Sequence, residues 1–204
     1  DRADLDALGV GATEVRRGTT VATNALLERT GAPVLLVTSA GLEELPWVGD
    51  QTRPELFALH VERASPLCVG VIGVEVRIHA DGGVIGAAQL ETAAIAGWRA
   101  RGVTSAAVVL PHGPLRPEIE RVLGAQLREA GFTTVCLGHE VAPSRGLLAR
   151  MHTTLADASL SPLLPRAPGA YMRSDGGLCV EDGSGGGDWR GRDAALSGPA
   201  GGVV

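Results

Sequence analysis

A glycine and two threonines stand directly before a predicted helix near the start of the sequence. Gly18, Thr19 and Thr20 precede the helical pattern, and Asn24 follows one turn later. Such a helix start offers free backbone N–H groups and the positive end of the dipole to an anion. Asn24 would turn its amide toward the same ligand. The alternative is an ordinary threonine cap with a surface asparagine, so these residue types alone leave a phosphate site and a plain helix start both open.

A carboxylate and a hydroxyl occur together at the end of a predicted strand. Ser174 and Asp175 follow Met172, and Gly176 and Gly177 come next. Ligands of open α/β sheets bind at the ends of strands, and glycines let the backbone approach a ligand closely. The alternative is an Asp-Gly-Gly turn that the aspartate closes with its own hydrogen bond.

Two further stretches have weaker chemical signals. The run from Ser197 through Gly201 and Gly202 has the form of a capped helix start, with residues small enough for a nucleotide to press against. Arg53 follows Gln51 and has the geometry to clamp a carboxylate, although a lone arginine is commonly solvated. Neither stretch identifies a ligand by itself.

Several kinds of site are excluded by what the sequence lacks. The five histidines show neither the i, i+4 pairing nor the cysteine partners of a metal site, so no metal site is predicted. Neither a P-loop nor a G-x-S-x-G nucleophile elbow occurs. The three cysteines are widely spaced, which argues against a disulfide framework and favours a reducing cytoplasm.

Composition and charge limit the kinds of partner that the protein is expected to bind. The chain has 204 residues, of which 45% are hydrophobic, and its net charge is -5 with basic residues spread evenly. That distribution gives no electrostatic footprint for nucleic acid or an anionic membrane. No apolar run approaches the length of a membrane span. A small molecule or another protein is the expected partner. The chain starts at Asp1 and stops within an apolar run at Val204, which indicates a piece of a longer protein.

Helical and strand patterns alternate along the chain and must position these loops. A buried strand is predicted over 33–38, and Gly31 is placed to end the preceding helix in the left-handed conformation. A hairpin turns at Asp81-Gly82-Gly83. Helices are predicted from Leu90 to Trp98, from Pro117 to Leu127 and from Gly146 to Leu160, with strands over 105–110, 133–137 and 170–172. The alternation predicts an α/β fold with a mixed sheet covered by helices.

Four sequence motifs in a fixed order resemble those of the hydantoinase A and 5-oxoprolinase family. The first motif runs from Gly18 to Arg29 and the second from Gln51 to Phe57; the third and fourth are Met172 to Leu178 and Leu196 to Val204. The second motif resembles the 5-oxoprolinase branch more than the hydantoinase branch. The resemblance covers the chain from about Val15 to its end.

That resemblance implies a fold and a reaction. The fold would be part of an actin, sugar kinase and Hsp70-like ATPase, in which ATP sits between two α/β lobes. The family opens cyclic amides with ATP hydrolysis, and its 5-oxoprolinase branch converts 5-oxo-L-proline to L-glutamate in glutathione metabolism. Phosphorylation of the lactam oxygen converts a poor electrophile into one with a leaving group. The implied cofactors are ATP and Mg in the complete enzyme.

The resemblance also implies roles for the residues singled out above. Thr20 and Asp175 would be catalytic. The substrate- or phosphate-binding residues would be Gly18, Thr19, Asn24, Arg53, Ser174, Gly176, Ser197, Gly201 and Gly202. The partners would be a small lactam, a hydantoinase B-type half that is fused or separate, and further copies in a homo-oligomer.

The chain also departs from the family pattern. Arg17 replaces a common histidine, and a segment between Asp157 and Tyr171 is shorter than expected. The family's two phosphate loops would lie before Asp1 and after Val204, so we expect the chain alone to be inactive. Residues 1–137 would be the family's N-terminal region and 138–204 the start of its ATPase domain. The alternatives are a hydantoinase, another lactamase, an acetone carboxylase-like subunit or a non-catalytic binding module.

Overall fold

The computed structural model describes residues 21–52, 57, 59, 65–143 and 146–164, together with the backbone of strands 170–172 and 178–180. The chain divides into two compact units. The larger unit spans residues 31–162, and the smaller unit combines residues 1–30 with 163–204. The larger unit contains the parallel sheet and most of the described helices.

A four-stranded parallel sheet forms the centre of the larger unit. Its order is β2-β1-β5-β6, with β1 at Val34–Ser39, β2 at Cys68–Val74, β5 at Ser105–Val108 and β6 at Thr134–Leu137. All residues of β1 and β5 are buried, as expected for central strands of a parallel sheet that is covered on both faces. The predicted α/β fold with a helix-covered sheet is confirmed, and the four described strands of that sheet are all parallel where a mixed sheet was expected.

Helices cover both faces of this sheet. The helices of the larger unit are α2 (Leu45–Val48), α3 (Thr92–Ala100), α4 (Pro117–Glu129), α5 (Gly138–Val141) and α6 (Leu147–Leu160). Leu35 and Val37 of β1 belong to the core cluster that includes Leu123 of α4. Val34 and Leu36 point to the other face, where their cluster includes Met151 of α6. Alternate residues of one strand therefore supply two separate cores.

The predicted hairpin is present as a separate antiparallel ribbon. Strands β3 (Val76–Ile78) and β4 (Val84–Gly86) pair with each other and follow edge strand β2. The backbone N–H of Gly83 donates to Asp81 Oδ1 at 2.8 Å, and Gly82 has a φ of 83°. Antiparallel pairing in the larger unit, within its described residues, is confined to this ribbon.

Replacement of Gly86 by alanine is expected to lower the free energy of unfolding by about 2–4 kcal/mol. Gly86 has a φ of 85°, and an added Cβ would collide with the carbonyl oxygen of Glu75. Urea denaturation of the chain measures the change. The matched control is Gly97→Ala in α3, where no heavy atom lies within 4 Å of the added Cβ. A helical glycine replaced by alanine should gain roughly 0.5–1 kcal/mol, so equal effects of the two substitutions would contradict the assignment.

Helix α1 in the smaller unit corrects one sequence prediction. It spans Val21–Glu28 and ends with Arg29 in the left-handed conformation at a φ of 54°. The N–H of Thr30 donates to the carbonyl of Ala25 at 3.0 Å, which is the 6→1 bond of a Schellman motif. Gly31 does not take the left-handed position, so that prediction was wrong. Close packing explains this glycine, because an added Cβ would collide with the Ser159 side chain within the larger unit.

The smaller unit also contains a second antiparallel ribbon. Strand β7 at Ala170–Met172 pairs with β8 at Leu178–Val180, with Met172 opposite Leu178. The predicted strand over 170–172 is therefore confirmed.

Candidate functional site

Of the site residues predicted from the sequence, Asn24 is the one that lies in the described part of the chain. It occupies the fourth position of α1, and its side chain is exposed. Whether Asn24 lies near the other predicted site residues therefore stays a prediction. The others fall outside the described residues: Gly18, Thr19, Thr20, Arg53, Ser174, Asp175, Gly176, Ser197, Gly201 and Gly202.

The carboxyl edge of the parallel sheet carries a buried polar network that sequence patterns did not indicate. Strand β5 continues into Val109 and Leu110, and β6 passes directly into α5. Glu120, on the first turns of α4, reaches the main chain after both strands. This edge is where open α/β sheets bind their ligands.

Glu120 is the centre of this network. Its side chain is fully buried. Oε1 accepts the backbone N–H of Leu110 at 3.0 Å, whereas Oε2 accepts the backbone N–H of His139 at 2.8 Å. The Nδ1 atom of His139 lies 2.7 Å from the same Oε2. Because a carboxylate only accepts hydrogen bonds, this contact requires the proton on Nδ1. One carboxylate thus ties the chain after β5 to the chain after β6.

Arg150 of α6 completes the network. Its Nη2 donates to the carbonyl of Leu110 at 2.8 Å, so the peptide groups on both sides of that residue are held by buried side chains. The aliphatic part of Arg150 packs against Gly138, where an added Cβ would lie 3.3 Å from Arg150 Cδ. Burial lowers the pKa of Arg150, and the negative charge of Glu120 opposes that change.

A tight turn follows β5 at the same edge. The N–H of Gly113 donates to the carbonyl of Leu110 at 3.1 Å, and the N–H of Leu115 donates to that of His112 at 2.9 Å. His112 takes a left-handed φ of 53°, which is uncommon for residues that carry a Cβ, although histidine adopts it more often than most of them. Gly113 has no room for a side chain because the Glu120 carboxylate lies there. The turn leaves the His112 side chain exposed.

Strand β1 brings hydroxyl groups to this edge. Thr38 Oγ1 and Ser39 Oγ are buried and find no hydrogen-bond partner among residues that the structure describes. His139 Nε2 also lacks a hydrogen bond to any described residue, although Glu140 Oε1 lies 3.7 Å away. Buried polar atoms of this kind are uncommon and call for a ligand or water. The edge therefore offers hydroxyl and imidazole groups to a polar ligand.

The sequence contained one signal for Glu120. Glu120, Leu123 and Leu127 follow each other at helical spacings of three and four residues, and all three are buried. A carboxylate on the apolar face of a helix needs buried partners. No metal site was predicted from the histidines, and no pattern marked His112 or His139. No group of metal-ligating side chains occurs in the described ranges, and no helix there is both long and apolar enough to cross a membrane.

Comparison with known proteins gives a consistent result. The hydantoinase/oxoprolinase N-terminal region model matches residues 6–131. The 5-oxoprolinase of Saccharomyces cerevisiae is 30% identical over 93% of this chain, and 5-oxoprolinase PfmaA of Pestalotiopsis fici is 33% identical over the same share. The chain spans 18% of the length of either relative.

Two solved structures share the fold. The ATP-dependent caprolactamase of Pseudomonas jessenii aligns with 98% of this chain and 33% of its own, at a TM-score of 0.74 and 28% identity. The nucleotide-free acetone carboxylase aligns with 93% of this chain and 31% of its own, at a TM-score of 0.72 and 19% identity. The second likeness is one of fold alone.

Proposed function

Because the chain belongs to the hydantoinase/oxoprolinase family, we propose that it is part of a longer ATP-dependent enzyme that opens 5-oxo-L-proline to L-glutamate. The observation that carries this proposal is the match to 5-oxoprolinases at about 30% identity over 93% of the chain. The relatives' much greater length supports the idea that further segments complete the enzyme. The sequence motifs that begin at Gly18 and Gln51 favour the 5-oxoprolinase branch.

The reaction explains why ATP is needed. An amide carbonyl is a poor electrophile, and transfer of the γ-phosphoryl group of ATP to its oxygen would make the carbonyl carbon more reactive. Water would then add to that carbon, the C–N bond would break as the nitrogen takes up a proton, and hydrolysis of the remaining acyl phosphate would release the carboxylate and phosphate. Thr20 and Asp175 are proposed to act at the reacting atoms. Magnesium would neutralise the charge that develops on the phosphoryl oxygens.

The remaining assignments follow from the same proposal. Residues 1–137 would form the N-terminal region and 138–204 the start of the ATPase domain of an actin-like fold. Gly18, Thr19 and Asn24 would face the phosphate or lactam. The enzyme would act in the cytoplasm, in glutathione metabolism, with a hydantoinase B-type half and as a homo-oligomer.

A second candidate is a related enzyme that acts on another substrate. The caprolactamase subunit alpha of Pseudomonas jessenii is 31% identical over 79% of the chain, which favours a different lactam as the alternative. The test is to assay the complete enzyme with 5-oxo-L-proline, caprolactam, hydantoin and acetone in parallel. We expect ATP-dependent turnover of 5-oxo-L-proline above the others. Preference for another compound would reject the proposed substrate.

The chain by itself is expected to hydrolyse no ATP above background. The family's phosphate loops are not in this sequence, so Mg-ATP would lack most of its electrostatic stabilisation. Phosphate release by the purified 204-residue chain, compared with the complete enzyme at equal concentration, measures this. Measurable ATP turnover by the chain alone, above the background without protein, would contradict the expectation.

A further inference from the structure

The turn after β5 holds a histidine in a strained conformation beside a buried carboxylate. We propose that His112 contacts an oxygen atom of the bound substrate at the carboxyl edge of the sheet, and that Glu120 is the positioning residue for its turn. The inference rests on the proposed function, because it requires that the substrate of that reaction binds at this edge of the sheet. Beyond the proposed function, it assigns His112 of the larger unit as a residue that contacts substrate and Glu120 as the residue that positions it.

The location of His112 is the first argument. Arg29, Gln51 and His112 are the non-glycine residues with positive φ in the described part of the chain. Arg29 follows helix α1 and Gln51 lies after α2, whereas His112 follows β5, which pairs with strands on both sides. Residues just after the central strands of a parallel sheet face the ligand crevice. The strain therefore lies where a ligand would bind.

The strain is also held in place by its surroundings. Glu120 binds the N–H of Leu110 and fills the space beside Gly113, while Arg150 binds the carbonyl of Leu110. Three buried contacts thus fix the two ends of a turn whose middle residue is disfavoured. Backbone strain persists only when the structure around it determines the conformation, and such positions concentrate at functional sites.

The position of the imidazole is not explained by any polar partner in the described part of the chain. Within the described ranges, no hydrogen bond or ion pair to the His112 side chain is found, and the ring is exposed. A glycine or asparagine would suit the same backbone better. A side chain that occupies an unfavourable backbone position, without a polar partner among the described residues, is available to bind a ligand.

The ligand chemistry is an oxygen acceptor, because the histidine ring always carries at least one N–H group that can donate to oxygen. In the proposed reaction that oxygen belongs either to the phosphoryl groups of ATP or to 5-oxo-L-proline. Steady-state kinetics separates the two sources. A higher KM for ATP indicates the phosphoryl oxygen, and a higher KM for 5-oxo-L-proline indicates the lactam or its carboxylate. A lower kcat with both KM values unchanged indicates contact in the transition state.

The decisive variant is His112→Gly in the complete enzyme. Glycine relieves the positive φ, so Tm should be equal to or higher than that of the wild type, while kcat/KM for ring opening should fall at least tenfold. His112→Asn should retain Tm and part of the activity, since asparagine tolerates this backbone and still donates a hydrogen bond. The matched control is Arg29→Gly, which also removes a positive-φ side chain and should leave kcat/KM unchanged.

Two results would overturn the assignment of His112. Wild-type kinetic constants in His112→Gly would show that the ring contacts no substrate. A lower Tm or failure to fold would show that the ring is a structural contact instead. If the wild-type enzyme opens caprolactam and not 5-oxo-L-proline, the proposed substrate fails separately, and the same variants are compared with caprolactam. If the wild type turns over none of the panel, thermal shifts are measured with Mg-ATP and with 5-oxo-L-proline separately. Equal shifts of wild type and His112→Gly with both ligands would overturn the inference, and a smaller shift of the variant with either ligand would support it.

The role of Glu120 is tested through His112. Glu120→Gln preserves the side-chain volume but cannot accept all of its hydrogen bonds, so kcat/KM should fall, whereas the exposed control Glu118→Gln should behave as the wild type. In the His112→Gly background, Glu120→Gln should have little further effect, because the turn no longer presents an imidazole. Full additivity of the two substitutions would remove Glu120 from the positioning role.

Discussion

Replacement of Glu120 by alanine is expected to lower the free energy of unfolding by roughly 3–5 kcal/mol, as for other buried charged groups that lose their partner. The substitution leaves the N–H groups of Leu110 and His139 without their acceptor, and it strands the Nδ1 proton of His139. Each buried donor without a partner costs about 1–3 kcal/mol. A cavity beside Gly113 adds to the loss.

Urea denaturation of the chain, followed by circular dichroism, measures this effect. Glu118→Ala is the matched control, because Glu118 lies two residues earlier on α4 with a side chain that is 57% exposed and 3.8 Å from Arg116. A surface substitution of this kind should change stability by no more than about 0.5 kcal/mol. If Glu120→Ala and Glu118→Ala unfold at the same urea concentration, the carboxylate does not hold the sheet edge together.

Replacement of Asp175 or Thr20 by alanine in the complete enzyme is expected to reduce kcat for ring opening by about 10²–10³-fold, the scale of losing one preorganised group at a reacting centre. Both residues are proposed to face the phosphoryl group or the lactam. The reduction should appear in kcat more than in KM, because these groups would act on charge that develops in the transition state.

The controls for this pair use exposed residues of the same types. Asp81→Asn lies in the β3–β4 turn, and Thr133→Ala precedes β6. Both are expected to retain wild-type kcat, and glutamate formation over time gives the rates. Full activity of Asp175→Ala and Thr20→Ala would remove both residues from the catalytic centre, whatever the stability of the variants.

Much of the fold could be predicted because its elements are locally specified. The apolar run at 33–38 predicted a buried strand, and β1 spans Val34–Ser39 with every residue buried. The apolar spacing after Pro117 predicted a helix, and α4 ends at Glu129 just before Gly131, whose φ is 92°. These features depend on neighbours in sequence, since hydrophobic period and terminal residues decide them.

The end of α1 could not be predicted because two conformations compete there. A left-handed glycine at position 31 is the usual helix ending, yet Arg29 takes that role two residues earlier. Gly31 is instead required by the nearby Ser159, which is distant in sequence. Tertiary packing determined the position, and no local pattern contains that information.

The polar network at the sheet edge could not be predicted from the sequence for the same reason. Glu120 contacts residues that lie 10 and 19 positions away, and Arg150 contacts Leu110 across 40 positions. Sequence spacing places Glu120 on the buried face of α4, but it does not identify its partners. The glycine- and hydroxyl-rich motifs could be recognised in the sequence because each is contiguous. Apart from Asn24, the site residues that they predict lie outside the described ranges.

We propose that this chain is part of an enzyme that couples ATP hydrolysis to lactam opening. The most direct measurement is the stoichiometry of L-glutamate and ADP formed by the complete enzyme from 5-oxo-L-proline, ATP and Mg. We predict one ADP for each glutamate, and no glutamate when ATP is omitted. Glutamate formation without ATP, or ATP hydrolysis with no glutamate formed, would contradict this proposal.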